Sequence, residues 1–303
     1  MQYKLHRLLE ILQLLLYDSC EVKIMRERSQ NFDPRQVMRR DTFEVFHYRE
    51  PRPGTVEVHH HDFYEVYYLL SGKVEYWVDG RIIAMQPGDL LLINPQELHR
   101  PVVDPQSPTY ERIVLWINRE YLEGLHRDSV DLSRCFDGST HLIRPDAAQR
   151  GALTARMGEL VREFYSREQG SELAAYGLFL QFMVHLNRMA GQESMRREDT
   201  QQLSQLVRGA LAYINENLSQ SITLEDIASH FYVSKYHLSH AFSREMGVSI
   251  YRYILLRRLL LARQLMAAGE SAGDACRACG FADYTSFYRA FKSEYGISPR
   301  QFG

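Results

Sequence analysis

At 303 residues, with 45% apolar and 24% charged side chains and a net charge of −2, the chain has material for two domains of ordinary size and excludes fibrous or wholly disordered classes. Four cysteines, at 20, 135, 276 and 279, are too few and too scattered for a disulfide framework, so a reducing, cytoplasmic setting is expected. The charge is uneven: from Thr200 onward 11 Lys and Arg face 8 Asp and Glu, against 25 and 30 in residues 1–199. A basic C-terminal third permits a polyanionic partner without demonstrating one.

In chain order, residues 1–40 read as an N-terminal extension. Leucines 5, 8, 9, 12, 15 and 16 follow helical spacing, and the apolar run is about half the length that spans a bilayer. No signal-peptide cleavage site follows it, so no membrane partner is expected.

Between Thr42 and Ile117 come short runs rich in Val, Tyr, Phe and Ile: FEVFHY, VEVHHH, YEVYYLL, KVEYWVDG, RIIAM, DLLLINP and RIVLWIN. Turn residues separate them, among them the hairpin signal Val78-Asp79-Gly80-Arg81. Such runs predict a small antiparallel barrel or double-sheet jelly roll. Within it, His59-His60-His61-Asp62-Phe63-Tyr64-Glu65 places His59, His61 and Glu65 on one face by alternation, and His60 on the other. Two or three imidazoles with a carboxylate suit Zn, Fe, Mn or Ni. The alternative is a polar pocket without metal, in which these side chains and His99 hydrogen-bond an organic effector. Tyr64, Tyr67, Trp77 and Trp116 are aromatic candidates for stacking on a ligand, and Arg112 is a further pocket candidate.

The order also resembles a cupin. His59-x-His61-x3-Glu65-x6-Gly72 matches the first cupin motif, and Pro87-Gly88-Asp89 leads to His99 in the place of the second. The second motif departs from the pattern: no Gly precedes the final histidine and no Asn follows at the usual distance.

Asp146 to Ala190 lacks proline and reads as two helices broken near Gly170-Ser171, the second strongly apolar. Residues 191–199 have the polar composition of a linker. The domain boundaries predicted are therefore 1–40, 41–190, 191–199 and 200–303.

The last segment contains an internal repeat. Leu224, Asp226, Ile227, Ala228, Phe231 and Val233 recur as Ala272, Asp274, Ala275, Cys276, Cys279 and Phe281, and Leu238, Phe242, Glu245, Gly247 and Ser249 as Phe287, Phe291, Glu294, Gly296 and Ser298. Each copy has the periodicity of a helix, a tight turn and a second helix. Lys235, Tyr236, Ser239, His240 and Arg244, then Asp283, Tyr284, Thr285 and Arg289, form the polar faces of the second helices, as reading base edges in a major groove requires. Residues 250–267 join the copies as one helix, whose Arg257, Arg258 and Arg263 either meet phosphates or solvate it.

These residues, with LEDIA at 224–228, VSKYHLSHAF at 233–242 and CGFADYTSFYRAFKSEYGISPRQF at 279–302, resemble the DNA-binding domain of AraC/XylS-type transcriptional regulators. The resemblance implies base contacts from Tyr236, Ser239, His240, Tyr284, Thr285 and Arg289. One departure stands out: Ala272 and Ala275 replace the larger aliphatics usual in the second unit. It further implies an activator that meets double-stranded DNA and RNA polymerase, a homodimer paired through the helices before 190, and a small-molecule effector, a sugar above all, without metal or catalysis. The fold expected is thus α+β and multidomain: a cupin-like β-barrel with a helical dimerisation segment, then an all-α domain with two helix-turn-helix units joined by a long helix. Cys276-x-x-Cys279 falls on core positions of a helix and reads as structural.

Overall fold

Side chains alternate across an extended strand, so each strand here has to satisfy two different neighbours. The computed structural model describes residues 36–302 except 52–53, 55, 126–129, 138–140, 193–195, 198–199 and 202. The helix expected near the N-terminus lies outside the described residues, as does Cys20. Ten strands form two sheets: β1 (Phe43–Glu50), β2 (Tyr64–Ser71), β3 (Val74–Val78), β4 (Arg81–Met85), β5 (Leu90–Ile93), β6 (His99–Val103), β7 (Tyr110–Ile117), β8 (Leu142–Ile143), β9 (Arg196–Arg197) and β10 (Thr200–Gln201). The first sheet runs β1-β7-β2-β5-β8-β9 and the second β10-β4-β3-β6.

Tyr67, Leu69, Tyr76, Val78, Ile93, Tyr110 and Val114 fill the space between the sheets. The opposite parity of the six-stranded sheet, including Val66, Tyr68, Leu92 and Leu115, packs under two helices that follow the short α1 (Arg119–Gly124): α2 (Ala147–Tyr165) and α3 (Ser171–Ala190). Asp146 and Gln149 form a capping box at the start of α2, and Gly170, at φ 87°, makes the break before α3. The segment VEVHHH forms no strand; it is held by a single bridge between His59 and His99. Its imidazoles bond local carbonyls, Glu57 O for His59 and Phe63 O for His61, which competes with regular pairing. Part of the segment read as a linker joins the sheets, β9 pairing with β8; just beyond it β10 pairs with β4.

Seven helices follow: α4 (Gln205–Glu216), α5 (Leu224–His230), α6 (Lys235–Met246), α7 (Ile250–Ala267), α8 (Ala272–Ala278), α9 (Tyr284–Tyr295) and α10 (Pro299–Phe302). The repeat is visible in the punctuation of these helices. Thr223 caps α5 and Ser271 caps α8, each on an aspartate three residues on. Ser234 and Asp283 cap α6 and α9, and Gly247 and Gly296 end them in the left-handed region. Between the two helices of each unit, Tyr232 at φ 55° occupies the position that Gly280 takes at φ 75° in the second copy. The outer face of the four-stranded sheet packs on this helical half: Trp77, Val58 and Leu98 share a core with Leu203, Val207 and Leu211. Among the described residues no helix is long and apolar enough to cross a membrane.

Candidate functional site

The two second helices bury one face and leave the other open. In α6, Leu238, Ala241, Phe242 and Met246 are buried, while Lys235, Tyr236, His240 and Arg244 are exposed and Ser239 is half-buried. Tyr236 is 80% exposed and its ring lies parallel to that of His240 at 6.1 Å. Lys235 pairs with Glu225 of α5, and Arg244 with Glu245, so both cations also have protein partners. In α9, Phe287 and Phe291 anchor the helix and leave Tyr284, Thr285 and Arg289 in solvent. Lys292, nearly one turn beyond Arg289, is exposed as well; its spacing from Arg289 was a signal that sequence reasoning missed.

The three arginines of α7 read as meeting phosphates or solvating the helix all have protein partners. Arg257 meets Asp79 at 3.5 Å, Arg258 donates to the carbonyls of Leu218 and Gln220, and Arg263 bonds Asp62. Each is drawn to a partner distant in sequence. Cys276 and Cys279 are buried among Phe287 and Phe291, and burial pushes the Cys279 thiol up to about 12, which makes it a poor nucleophile.

Between the sheets the structure brings together His59, His61, Glu65 and His99, all buried. His99 stands 4.3 Å from His59 and 4.7 Å from His61, centroid to centroid. Nδ1 of His59, His61 and His99 each lies 2.8 Å from a backbone carbonyl, of Glu57, Phe63 and Glu97. Such bonds place a ring proton on Nδ1, which in a neutral imidazole leaves Nε2 as the lone-pair donor. Among the described residues, Nε2 of His99 and of His61 have no hydrogen-bond partner, although His61 Nε2 comes within 3.4 Å of Glu65 Oε2. Glu65 accepts from Trp116 Nε1 at 2.9 Å and from Tyr76 Oη at 3.4 Å. Burial lowers the pKa of His59 to about 4 and that of His99 well below its usual value, so both rings are neutral near pH 7. Burial works against ionisation of Glu65, but His61, His59 and Trp116 outweigh it and hold the carboxyl low.

Ligand atoms of His61, Glu65 and His99 all lie within 4.8 Å of one another. Two imidazoles and a carboxylate are a donor set suited to a divalent transition ion, and the backbone carbonyls that orient the rings are already in place. Tyr67 and Arg112 border the same interior from the other end. Tyr67 shares a 2.5 Å hydrogen bond with Tyr110, and Arg112 lies 4.1 Å over the Tyr110 ring while pairing with Glu50. Tyr64 points the other way, onto Phe136.

Trp77 requires a correction. It points out of the interior, into the core shared with α4, and the residue that faces Glu65 is its neighbour Tyr76. Both are aromatic, so the sequence left the phase of β3 ambiguous. Pro87-Gly88-Asp89 serves structure: buried Asp89 receives two hydrogen bonds from Arg144 at 2.9 Å. Two open cavities, of about 490 and 310 Å3, lie outside the inter-sheet space, one between the six-stranded sheet and α2, the other beside α4 and α7.

Residues 42–183 match the family described as the AraC-like ligand binding domain, and residues 227–303 match a helix-turn-helix domain. The arabinose operon regulatory protein of Escherichia coli K12 is 29% identical over 227 residues, 74% of each chain. The HTH-type transcriptional activator RhaS of Escherichia fergusonii is 26% identical over 262 residues, 83% of this chain and 90% of that one. Among solved structures, the C-terminal domain of AraT, a response regulator from Geobacillus stearothermophilus, is 31% identical over 34% of this chain and 86% of its own, with a TM-score of 0.33.

Proposed function

Since the chain belongs to the AraC family of DNA-binding transcriptional regulators with an N-terminal ligand-binding domain, we propose that its effector acts at the inter-sheet cluster and that α6 and α9 read the operator. The observation that carries the effector assignment is the cluster itself. Three imidazoles and a carboxylate are enclosed there, with bare Nε2 atoms on His61 and His99 that packing alone gives no reason to bury. The effector class is carbohydrate, supported by the similarity to an arabinose operon regulator; His59, His61, Glu65, His99, Tyr67 and Arg112 supply the hydrogen bonds and Trp116 an aromatic face. The regulator is a cytoplasmic activator that works with RNA polymerase as a homodimer.

Reading of DNA falls to Tyr236, Ser239 and His240 in the first unit and Tyr284, Thr285 and Arg289 in the second, with Lys235 and Arg244 adding positive charge beside them. The long helix sets their separation: 18 residues at 1.5 Å per residue give about 27 Å, which with the flanking units suits successive major grooves.

One observation favours a second occupant. His61, Glu65 and His99 are fully enclosed and their donor atoms are close, which fits a single divalent ion better than a hydrated sugar. An ion held by these three would supply positive charge to fix an effector oxygen. A thermal-shift screen of monosaccharides and divalent metals, on protein purified without an affinity tag, decides between them, because a ligand of the native state raises Tm by mass action. Stabilisation by a sugar in chelator supports the first occupant; stabilisation by a metal alone, lost in His99→Ala, supports the second. Silence from both panels would contradict the cluster as the effector site.

A further inference from the structure

The residues that form the interior cluster alternate with residues that grip the other half of the protein. His59 and His61 face His99 and Glu65, whereas His60 faces the second helix-turn-helix unit and Asp62 the joining helix α7. His60 is buried against Tyr295, its ring 5.6 Å away and edge-on, with Nε2 3.6 Å from Glu294. Asp62 bonds Arg263 of α7, whose guanidinium lies over the rings of Tyr295 and Phe302. Arg252 of α7 completes the contact at 2.8 Å from Glu294. Next to it, Gln96, in the left-handed region at φ 71°, donates its backbone N–H to His61 O and accepts from Gln264 of α7.

We propose that the segment 59–62 is a two-sided docking surface, through which the state of the inter-sheet cluster sets how the second helix-turn-helix unit is held. The geometry gives a physical route. The His59–His99 bridge and the three imidazole–carbonyl bonds tie backbone position to ring position, so moving His61 or His99 moves the peptide that carries His60 and Asp62. His60 meets the last turn of α9 directly and Asp62 reaches it through Arg263, whose guanidinium lies over Tyr295, while the reading residues Tyr284, Thr285 and Arg289 lie in the first half of α9, away from the contact. The docked arrangement therefore leaves the DNA-facing side open and changes only its orientation relative to α6. A difference in docking between two states of the cluster is the only source of free energy that this route has.

The inference rests on the cluster being the effector site, so its test uses no effector. Operator affinity is measured, with a fragment selected by the full-length protein from random DNA, for wild type, His99→Asn, Asp62→Ala and the double variant. Coupling predicts that His99→Asn changes affinity about fivefold or more in the wild-type background and less than about twofold when Asp62 is Ala. The same fold-change in both backgrounds, or no change in either, overturns it. Where Asp62→Ala fails to fold, Asp62→Asn repeats the cycle. A parallel zinc titration by chelator competition reports on the cluster alone: absence of zinc binding removes the metal reading and leaves the cycle to decide the coupling.

Discussion

Arg289 illustrates what a single residue can be asked to do. It is exposed on α9, one turn from Thr285, and among the described residues it has no ion pair that would have to be broken. Arg289→Ala should weaken specific binding by about 1 to 3 kcal/mol in competition assays while leaving random-DNA binding near its wild-type value. Equal loss on both would make it a phosphate contact. His59 gives a pH signature of the opposite kind. Its folded pKa is depressed by burial to about 4 from 6.5, so between those values the unfolded chain takes up a proton that the folded one refuses. The sign follows: stability is held above about pH 6.5 and falls as the pH drops toward 4, by about 3 kcal/mol for this group alone. Denaturant melts across that window, in chelator, should show the decline, and His59→Gln should make it shallower, the remainder coming from His60 and His99, which burial also holds low. At this scale the motif spacing made His59, His61, Glu65 and His99 legible, because alternation and a known pattern agree on them. The phase of β3 was not legible, since Tyr76 and Trp77 are equally aromatic, nor were the arginine partners, which lie far off along the chain.

At the scale of the element, the two helix-turn-helix turns give an internal control. A Cβ on Gly280 would stand 2.7 Å from the carbonyl oxygen of Leu218, and its φ of +75° disfavours any other residue. Gly280→Ala should therefore destabilise by about 2 kcal/mol or more, visible as a lower Tm. Tyr232 occupies the matching position at φ 55° while 96% exposed, so Tyr232→Gly relieves strain and should stay within about 1 kcal/mol of wild type. The pairing helix makes a separate prediction. On α3, Leu173 is 78% exposed and Gly177 and Leu180 continue the same stripe one and two turns on. Burying that stripe against a second copy is the proposed dimer contact; a Leu173→Asp, Leu180→Asp variant should sediment as a monomer, and an unchanged dimer would place the contact elsewhere. Elements of this kind were legible in the sequence because caps, glycines and periodicity coincide. The segment 56–61 was not, because its histidines use their polarity locally instead of pairing as a strand.

Across the whole molecule, what the sequence hid is the contact between halves. Composition suggested a linker over 191–199 and said nothing of how the halves meet; the structure shows a shared core around Trp77, together with the pairs Asp79–Arg257, Asp62–Arg263 and Gln96–Gln264. Trp77→Ala should lower stability by about 3 to 5 kcal/mol and merge less cooperatively the unfolding of the two halves, which calorimetry would resolve. No periodicity announces such a contact, since each half of it looks like an ordinary surface residue in its own domain. On the reading proposed above, the same continuity is the route from the inter-sheet cluster to the DNA-reading helices. Any such coupling is reciprocal: the factor by which effector changes operator affinity must equal the factor by which operator changes effector affinity. The most direct measurement is therefore a four-sided binding cycle, with the compound that most raises Tm and the selected operator fragment, each titrated with and without the other. Equal factors clearly different from one are the predicted result. Effector affinity that is the same with and without operator would contradict the account.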